Sequence, residues 1–205
     1  MMKLAVLASL IGAAAAFAPA NTGASKATTA LNVEKSPAVP FLPYPENLRG
    51  YVGDDIGFDP LGISNYISVD YLRESELKHG RICMLAIVGY AIVDAGVVVH
   101  PLGQGLSSAA AHTAMVENGV LGNMLVWIGA FEMVSWFAIA EMRQGSGREP
   151  GDFGFDPLNF TKNKTEEQIN KLKYQELKNG RLAMMAFGGA VTQSVLYDTG
   201  FPYTN

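Results

Sequence analysis

One cysteine in 205 residues, Cys83, leaves no disulfide framework and no thiolate metal site to build. Charge is scarce as well. Only 17 % of residues are charged, the formal net charge is -4, and no basic stripe runs along the chain, which excludes a partner that presents a nucleic-acid phosphate backbone. The strings of familiar catalytic sites are missing: no CXXC, HEXXH, GXSXG or phosphate-loop motif occurs, and the glycines of GSGREPG (residues 145–151) read as a turn. What is plentiful is apolar sequence, 49 % of the chain, in a length suited to one domain. That balance fits a membrane protein.

The chain is organised around a repeat. ELKHGRICMLAIVG (residues 76–89) returns as ELKNGRLAMMAFGG (residues 176–189), with eight of fourteen positions identical. GFDPL also occurs twice, at 57–61 and 154–158, each time before an ELK motif. The repeat unit is therefore a loop followed by a helix. On a helix, Glu76 and His79 lie about 60° apart and share a face, whereas Arg81 points roughly 140° away from Glu76 and does not neutralise it easily. Glu176, Asn179 and Arg181 repeat the geometry. Two crossing helices related by a twofold axis solve the problem, with Arg181 reaching Glu76 and Arg81 reaching Glu176. The small residues Ala86, Gly89, Ala186 and Gly189 are expected to let the two backbones approach, as small residues do between helices in lipid.

Three apolar runs predict three membrane spans. Residues 82–99 are interrupted only by Asp94. Residues 120–140 reach about 31 Å, enough for a hydrocarbon core of about 30 Å. Residues 182–197 reach only about 24 Å and must draw in the ELKNGR turn to cross. The competing reading, three buried helices of a soluble bundle, sits poorly with the uniform apolarity of the second run. Residues 33–69 hold five prolines, at 37, 40, 43, 45 and 60, and are expected to lie extended along a surface. The loop 100–119 and the tail after Tyr197 contain no lysine or arginine, whereas seven bases fall between residues 143 and 178. By the positive-inside bias, that basic segment and the N-terminus share the cytoplasm-like side.

The first thirty residues read as an address. Residues 1–16 have the form of a signal peptide, with Lys3, a short apolar run and a small-residue cleavage site. Residues 17–30, rich in Ala, Ser and Thr and without an acid, have the form of a plastid transit segment, so the mature domain is expected over 31–205. The join AAAFAPA resembles the bipartite signal for plastids of secondary red-algal origin.

Polar groups within apolar sequence point to bound ligands unless they are partnered. Glu132 lies near the middle of the second run with no lysine or arginine between residues 120 and 140. It is protonated, faces a polar cavity, or coordinates a cation. Glu141, at that run's end, has Arg143 near it as an alternative ion-pair partner. Gln193 falls within about 40° of the face of Asn179, and either ligates a hard metal or bonds a neighbouring helix. His100 and His112 read as exposed loop histidines. Single Glu, His, Asn and Gln donors spread along helices do not build a protein-only metal cage. They suit a magnesium ion that already has four equatorial ligands, as in chlorophyll, and needs one axial donor. EXXH is also used by di-iron carboxylate enzymes, but the second copy here reads EXXN.

The paired ELKHGR and ELKNGR motifs, the GFDPL loops and the three apolar runs resemble the chlorophyll a/b- and a/c-binding light-harvesting family over about residues 45–197. With the targeting signal and the GSGREPGDFGFDPL loop, the chain is most similar to the fucoxanthin chlorophyll a/c-binding proteins and red-lineage photosystem I antennae. The resemblance implies an all-α membrane fold of three transmembrane helices, the first and third crossed as a pseudo-twofold pair with carotenoids in the grooves. It implies Glu76 with Arg181, Glu176 with Arg81, His79, Asn179 and Gln193 as chlorophyll-binding residues, with Glu132 and Glu141 as candidates on the second helix. The GFDPL loops would lie near carotenoid end rings. Implied cofactors are chlorophyll a, chlorophyll c and fucoxanthin or related carotenoids. Implied partners are a photosystem I or II core, other antenna subunits and copies of this chain, with no nucleic acid. The implied setting is a plastid thylakoid membrane with the N-terminus in the stroma. The implied function is non-enzymatic light harvesting; a stress-type, energy-dissipating relative and a membrane di-metal enzyme are the alternatives. One departure is visible: residues 194–205 contain no histidine, where many relatives place a further ligand.

Overall fold

The computed structural model describes residues 34–203, so the expected signal and transit segments and the start of the mature domain at Leu31 lie outside the described residues. Four α-helices occur among the described residues: α1 (Val69–Asp94), α2 (Ser108–Glu117), α3 (Val120–Arg143) and α4 (Glu166–Tyr197). No strand occurs among the described residues, only an isolated bridge between Lys35 and Pro43.

The polar ELK turns are helical, which is why α1 and α4 exceed their apolar runs. At 1.5 Å per residue, α1 is about 39 Å long and α4 about 48 Å. Helix α4 starts at a capping box, in which the Thr165 side chain accepts from the Gln168 backbone and the Gln168 side chain accepts from Thr165 N–H. Helix α1 stops at Asp94, short of the apolar run's end at Val99. Gly96, at φ +88°, takes the left-handed position that closes the last turn, with Gly96 N–H on Val93 O (3.0 Å) and Val97 N–H on Ile92 O (3.1 Å). Asp94, the charge that interrupts the run, accepts the N–H of Ser108 at 2.7 Å, at the start of α2 where a negative charge is favoured. Ser108 Oγ donates back to Tyr90 O at 2.6 Å. Tyr90, Phe187, Phe201 and Tyr203 then stack in a chain of rings 5.8–5.9 Å apart and join the ends of α1 and α4.

Helices α1 and α4 make the main packing contact. The buried residues of α4, Leu177, Gly180, Ala183, Ala190 and Ser194, recur at helical spacing as one stripe. The closest approach is glycine on glycine: a Cβ built on Gly80 would stand 2.9 Å from Gly180 Cα, and one on Gly180 would stand 3.1 Å from Gly80 Cα. This corrects the expectation placed on Ala86, Gly89, Ala186 and Gly189, since a Cβ at Gly89 or Gly189 meets nothing within 4 Å and Ala186 is exposed. The crossing lies in the ELK motifs themselves, between the glutamate and the arginine.

Helix α3 is different in kind. By length and composition it is the one described helix apolar enough to cross a membrane. Leu125, Val126, Trp127 and Ile128, at consecutive positions and so round most of the helix, all lie exposed. Such a surface needs an apolar environment. The proline-rich segment is not simply extended, as expected, but coils through short 3-10 turns at Glu46–Leu48, Asp54–Ile56 and Ile63–Asn65. Ser36 Oγ donates to Gly57 O (2.6 Å) and Tyr44 Oη to Asp54 O (2.6 Å), which fold it back on itself. Gly57 is required there twice over, by its φ of +56° and because a Cβ would stand 2.6 Å from the Tyr44 ring.

Candidate pigment-binding site

Around the glycine crossing the two helices exchange charges. Arg81 Nε lies 2.7 Å from Glu176 Oε1, and Arg181 Nε lies 2.7 Å from Glu76 Oε1. Neither glutamate could meet the arginine of its own helix, five residues on and turned away, so each takes the one that the crossing delivers. These pairs are half-buried. A carboxylate compensated in this way is close to neutral as a unit while keeping a second oxygen, so it can act as an axial donor without bringing an uncompensated charge into apolar surroundings.

The other donors sit outward of the crossing. His79 is exposed, and its Nδ1 lies 2.8 Å from the carbonyl oxygen of Ser75. A carbonyl only accepts, so Nδ1 carries the proton and Nε2 presents its lone pair away from the helix. Asn179 and Gln193 are exposed on α4, and their amides make no hydrogen bond among the described residues. These donors are oxygens and a neutral imidazole nitrogen on separate turns, the set a magnesium tetrapyrrole accepts one at a time. One buried polar atom beside them is left over: Arg73 Nη1 finds no hydrogen-bond partner.

Residues 44–195 match the family model described as chlorophyll A-B binding protein. The chain belongs to the chlorophyll a-b binding protein family. It is 35 % identical over 195 residues to fucoxanthin-chlorophyll a-c binding protein F of Phaeodactylum tricornutum, covering 90 % of this chain and 91 % of that one. It is 33 % identical to chlorophyll a-b binding protein 6 of Arabidopsis thaliana, over 82 % of this chain and 71 % of the relative. Light-harvesting complex stress-related protein 1 of Chlamydomonas reinhardtii is 35 % identical over 77 % of this chain and 68 % of its own length. All three relatives are named as chloroplastic.

In this chlorophyll a-b binding family member, Glu132 is not the lone charge that its helix suggested. Lys78, from the first ELK motif, reaches across from α1 and places Nζ 2.5 Å from Glu132 Oε2 and 2.7 Å from Ser135 Oγ. Helix α3 carries no base for Glu132 between residues 120 and 140; the base comes from another helix. Lys178, at the same place in the second motif, instead lies over the ring of Tyr174 at 4.3 Å. Glu141 is exposed and makes no ion pair among the described residues. The Arg143 guanidinium offered to it lies over the Tyr71 ring at 5.9 Å instead. His112 falls on α2, where it is exposed, and His100 Nδ1 accepts the N–H of Leu102 at 3.3 Å.

Two features were missed at the level of sequence. Glu74, only 1 % exposed, accepts the Gly151 N–H at 2.6 Å and stands 3.2 Å from Arg148 Nη1. Arg81 Nη1 meanwhile donates to Gly151 O at 2.9 Å. Both polar groups of one peptide-bearing residue thus tie the α3–α4 connection to α1. The signal was present in an acid two residues before the first ELK motif, where the second copy has Tyr174. The other missed feature is the aspartate of GFDPL. Asp59 accepts the N–H groups of Ile63 and Ser64, both at 3.0 Å, and Asp156 those of Phe160 and Thr161, both at 2.9 Å. Burial pushes the Asp59 carboxyl up, but the donors from Ser64, Ile63 and Gly62 hold it below its ordinary value. The Thr161 hydroxyl and amide do the same for Asp156. Each loop is a rigid turn that leaves its Phe and Leu, at 58 and 61 and at 155 and 158, exposed.

Hollows also mark the surface of the described residues. A groove of about 450 Å³ runs between α3 and the following loop, lined by Phe131, Val134, Ala138 and Phe153, next to Ser135. A cleft of about 480 Å³ lies by Asp94 and Gly200. The eighteen residues from Glu76 to Asp94 put that cleft about 27 Å along α1 from the ion pairs, so it is not part of the donor set.

Proposed function

We propose that the protein is a light-harvesting antenna subunit that holds chlorophyll a, chlorophyll c and fucoxanthin-type carotenoids at fixed separations and passes excitation to a photosystem. The observation that carries this is the reciprocal Glu–Arg exchange at the glycine crossing, which compensates two carboxylates and leaves each a second oxygen with which to donate. When bound, the pigments absorb light and transfer the excitation; the chain itself does no bond chemistry. Glu76, His79, Glu176, Asn179 and Gln193 are the proposed axial donors, with Arg81 and Arg181 compensating the glutamates. Glu132, committed to Lys78, and Glu141 remain proposals of lesser geometric support on α3. The exposed Phe and Leu of each GFDPL turn fit the apolar end rings of carotenoids.

The membrane arrangement belongs to the same proposal. Helices α1, α3 and α4 span a plastid thylakoid membrane, with α1 and α4 as a pseudo-twofold pair. The exposed Ile82, Leu85, Val88, Leu182, Met185 and Val195 support spans at α1 and α4 besides α3. The bases of the α3–α4 connection favour the stroma for that side and for the N-terminus. The partners are a photosystem I or II core and neighbouring antenna subunits, including copies of this chain.

A second reading, energy dissipation, draws on the similarity to the Chlamydomonas stress-related protein. The di-metal enzyme is disfavoured by the commitment of both ELK glutamates to arginines. A fluorescence excitation spectrum of the purified protein, read at chlorophyll a emission, tests the proposal. Carotenoid and accessory-chlorophyll bands are expected. Bound pigment with strongly shortened emission supports dissipation, and iron in place of magnesium would overturn both.

A further inference from the structure

The two halves of the repeat are not electrostatic equals. Arg181 takes Oε1 of Glu76, and the oxygen it leaves free, Oε2, stands 3.3 Å from Arg73 Nη1. Arg73 lies three residues before Glu76 on the same helical face and is 13 % exposed. In the second half, Arg81 takes Oε1 of Glu176. The residue three before Glu176 is Lys173, whose ammonium is drawn off to Glu149. Glu176 Oε2 therefore has no cation against it among the described residues. Counting charges, Glu76 with Arg73 and Arg181 sums to +1, and Glu176 with Arg81 sums to zero. Arg73 Nη1 is also buried without a hydrogen-bond partner, so its donor is unspent beside the oxygen that would face a ligand.

We propose that Arg73 sets the two glutamate sites apart: by drawing on Glu76 Oε2 it weakens axial donation there and shifts the absorption of the magnesium tetrapyrrole held by Glu76 relative to that held by Glu176. This rests on the reading of both glutamates as axial donors. An oxygen that already faces a guanidinium has less electron density to give to magnesium, and a fixed charge near one ring changes its excitation energy but not that of a ring across the crossing. The outcome is two pigment positions of different energy and hold, built from one repeated motif by where the cation three residues before each glutamate is held, Arg73 against Glu76 and Lys173 against Glu149.

The test uses the full-length pigment-loaded protein, compared with R73Q, R73K, E76A and the double variant K173R/E149Q. The readouts are the rate of chlorophyll release in detergent and the low-temperature absorption difference spectrum. R73Q is expected to move one chlorophyll a band and slow one release phase by on the order of tenfold, the factor for one charge contact of about 1.4 kcal/mol. R73K, which keeps the charge, should resemble the wild type. K173R/E149Q should move a different band and speed a different release phase. E76A separates the two levels of the argument. If it keeps the full chlorophyll complement, the donor reading of Glu76 falls. If it loses one chlorophyll while R73Q and K173R/E149Q leave every band and release phase in place, the role of Arg73 is overturned and the donor reading stands.

Discussion

Replacing Gly80 with alanine puts a methyl carbon 2.9 Å from the Cα of Gly180, against backbone that has no rotamer with which to retreat. Carbon contacts are comfortable at about 3.5 Å and beyond, so the helices must part by roughly 0.6 Å at the crossing. Overpacking of this kind costs about 1–3 kcal/mol. Alanine recovers up to about 1 kcal/mol through its better helix propensity. Parting the helices also stretches two charge-assisted hydrogen bonds of 2.7 Å that straddle the crossing, which tips the balance toward loss. The net expectation is about 1–2 kcal/mol for G80A, or roughly 2–8 °C in the melting of pigment circular dichroism in detergent. The double variant G80A/G180A should lose more than the sum, since two methyls then meet. Gly89 and Gly189, whose Cβ positions are empty, are the controls: alanine there should be neutral or slightly stabilising. A G80A protein that melts at or above the wild type would refute the reasoning that this contact sets the helix approach.

The arginines should not be equivalent: R181L leaves Glu76 with Arg73, whereas R81L strips Glu176 of its cation and Gly151 O of its donor, so R81L should lose about 1–3 kcal/mol more, read as chlorophyll retained per chain on heating. E74A exposes an unpaired Arg148 and Gly151 N–H in a buried place and should cost about 3–5 kcal/mol, seen as new proteolysis within residues 144–152. The depressed carboxyls of Asp59 and Asp156 imply loop stability that is complete above the unfolded value of about 3.9 and lost as pH falls through the lower folded value. Protection of the Phe160 and Thr161 amides, corrected for intrinsic exchange, should hold from pH 7 to about 4 and fall below that; D156N should lose it at every pH.

The reciprocal ion pairs were legible because helical angles alone separate Glu76 from Arg81, and a second copy of the motif supplied the only plausible exchange. The crossing glycines stand in both copies of ELKXGR, but small residues between helices in lipid are expected in apolar stretches, as at Ala86, Gly89, Ala186 and Gly189; here the approach falls in the polar turn. Glu132 shows a different limit. Its partner Lys78 is 54 residues away in sequence, and nothing local announces that α1 passes beside α3 at that height. The GFDPL aspartates, and Glu74 in its bond to Gly151, were hidden for a third reason: they hold backbone N–H groups, which every residue but proline possesses and no motif can spell.

Each glutamate site draws one half from α1 and the other from α4, with 95 and 105 residues between the paired side chains. During synthesis, α1 must therefore wait, its glutamate and arginine unmatched, until the last helix arrives. Arg81 cannot settle before the connection leaving α3 has also come into place, because it grips that connection at Gly151 as well as Glu176. The two sites consequently mature together and late. A chain cut short before α4 has neither Glu–Arg pair, so both charge exchanges depend on completion of the polypeptide.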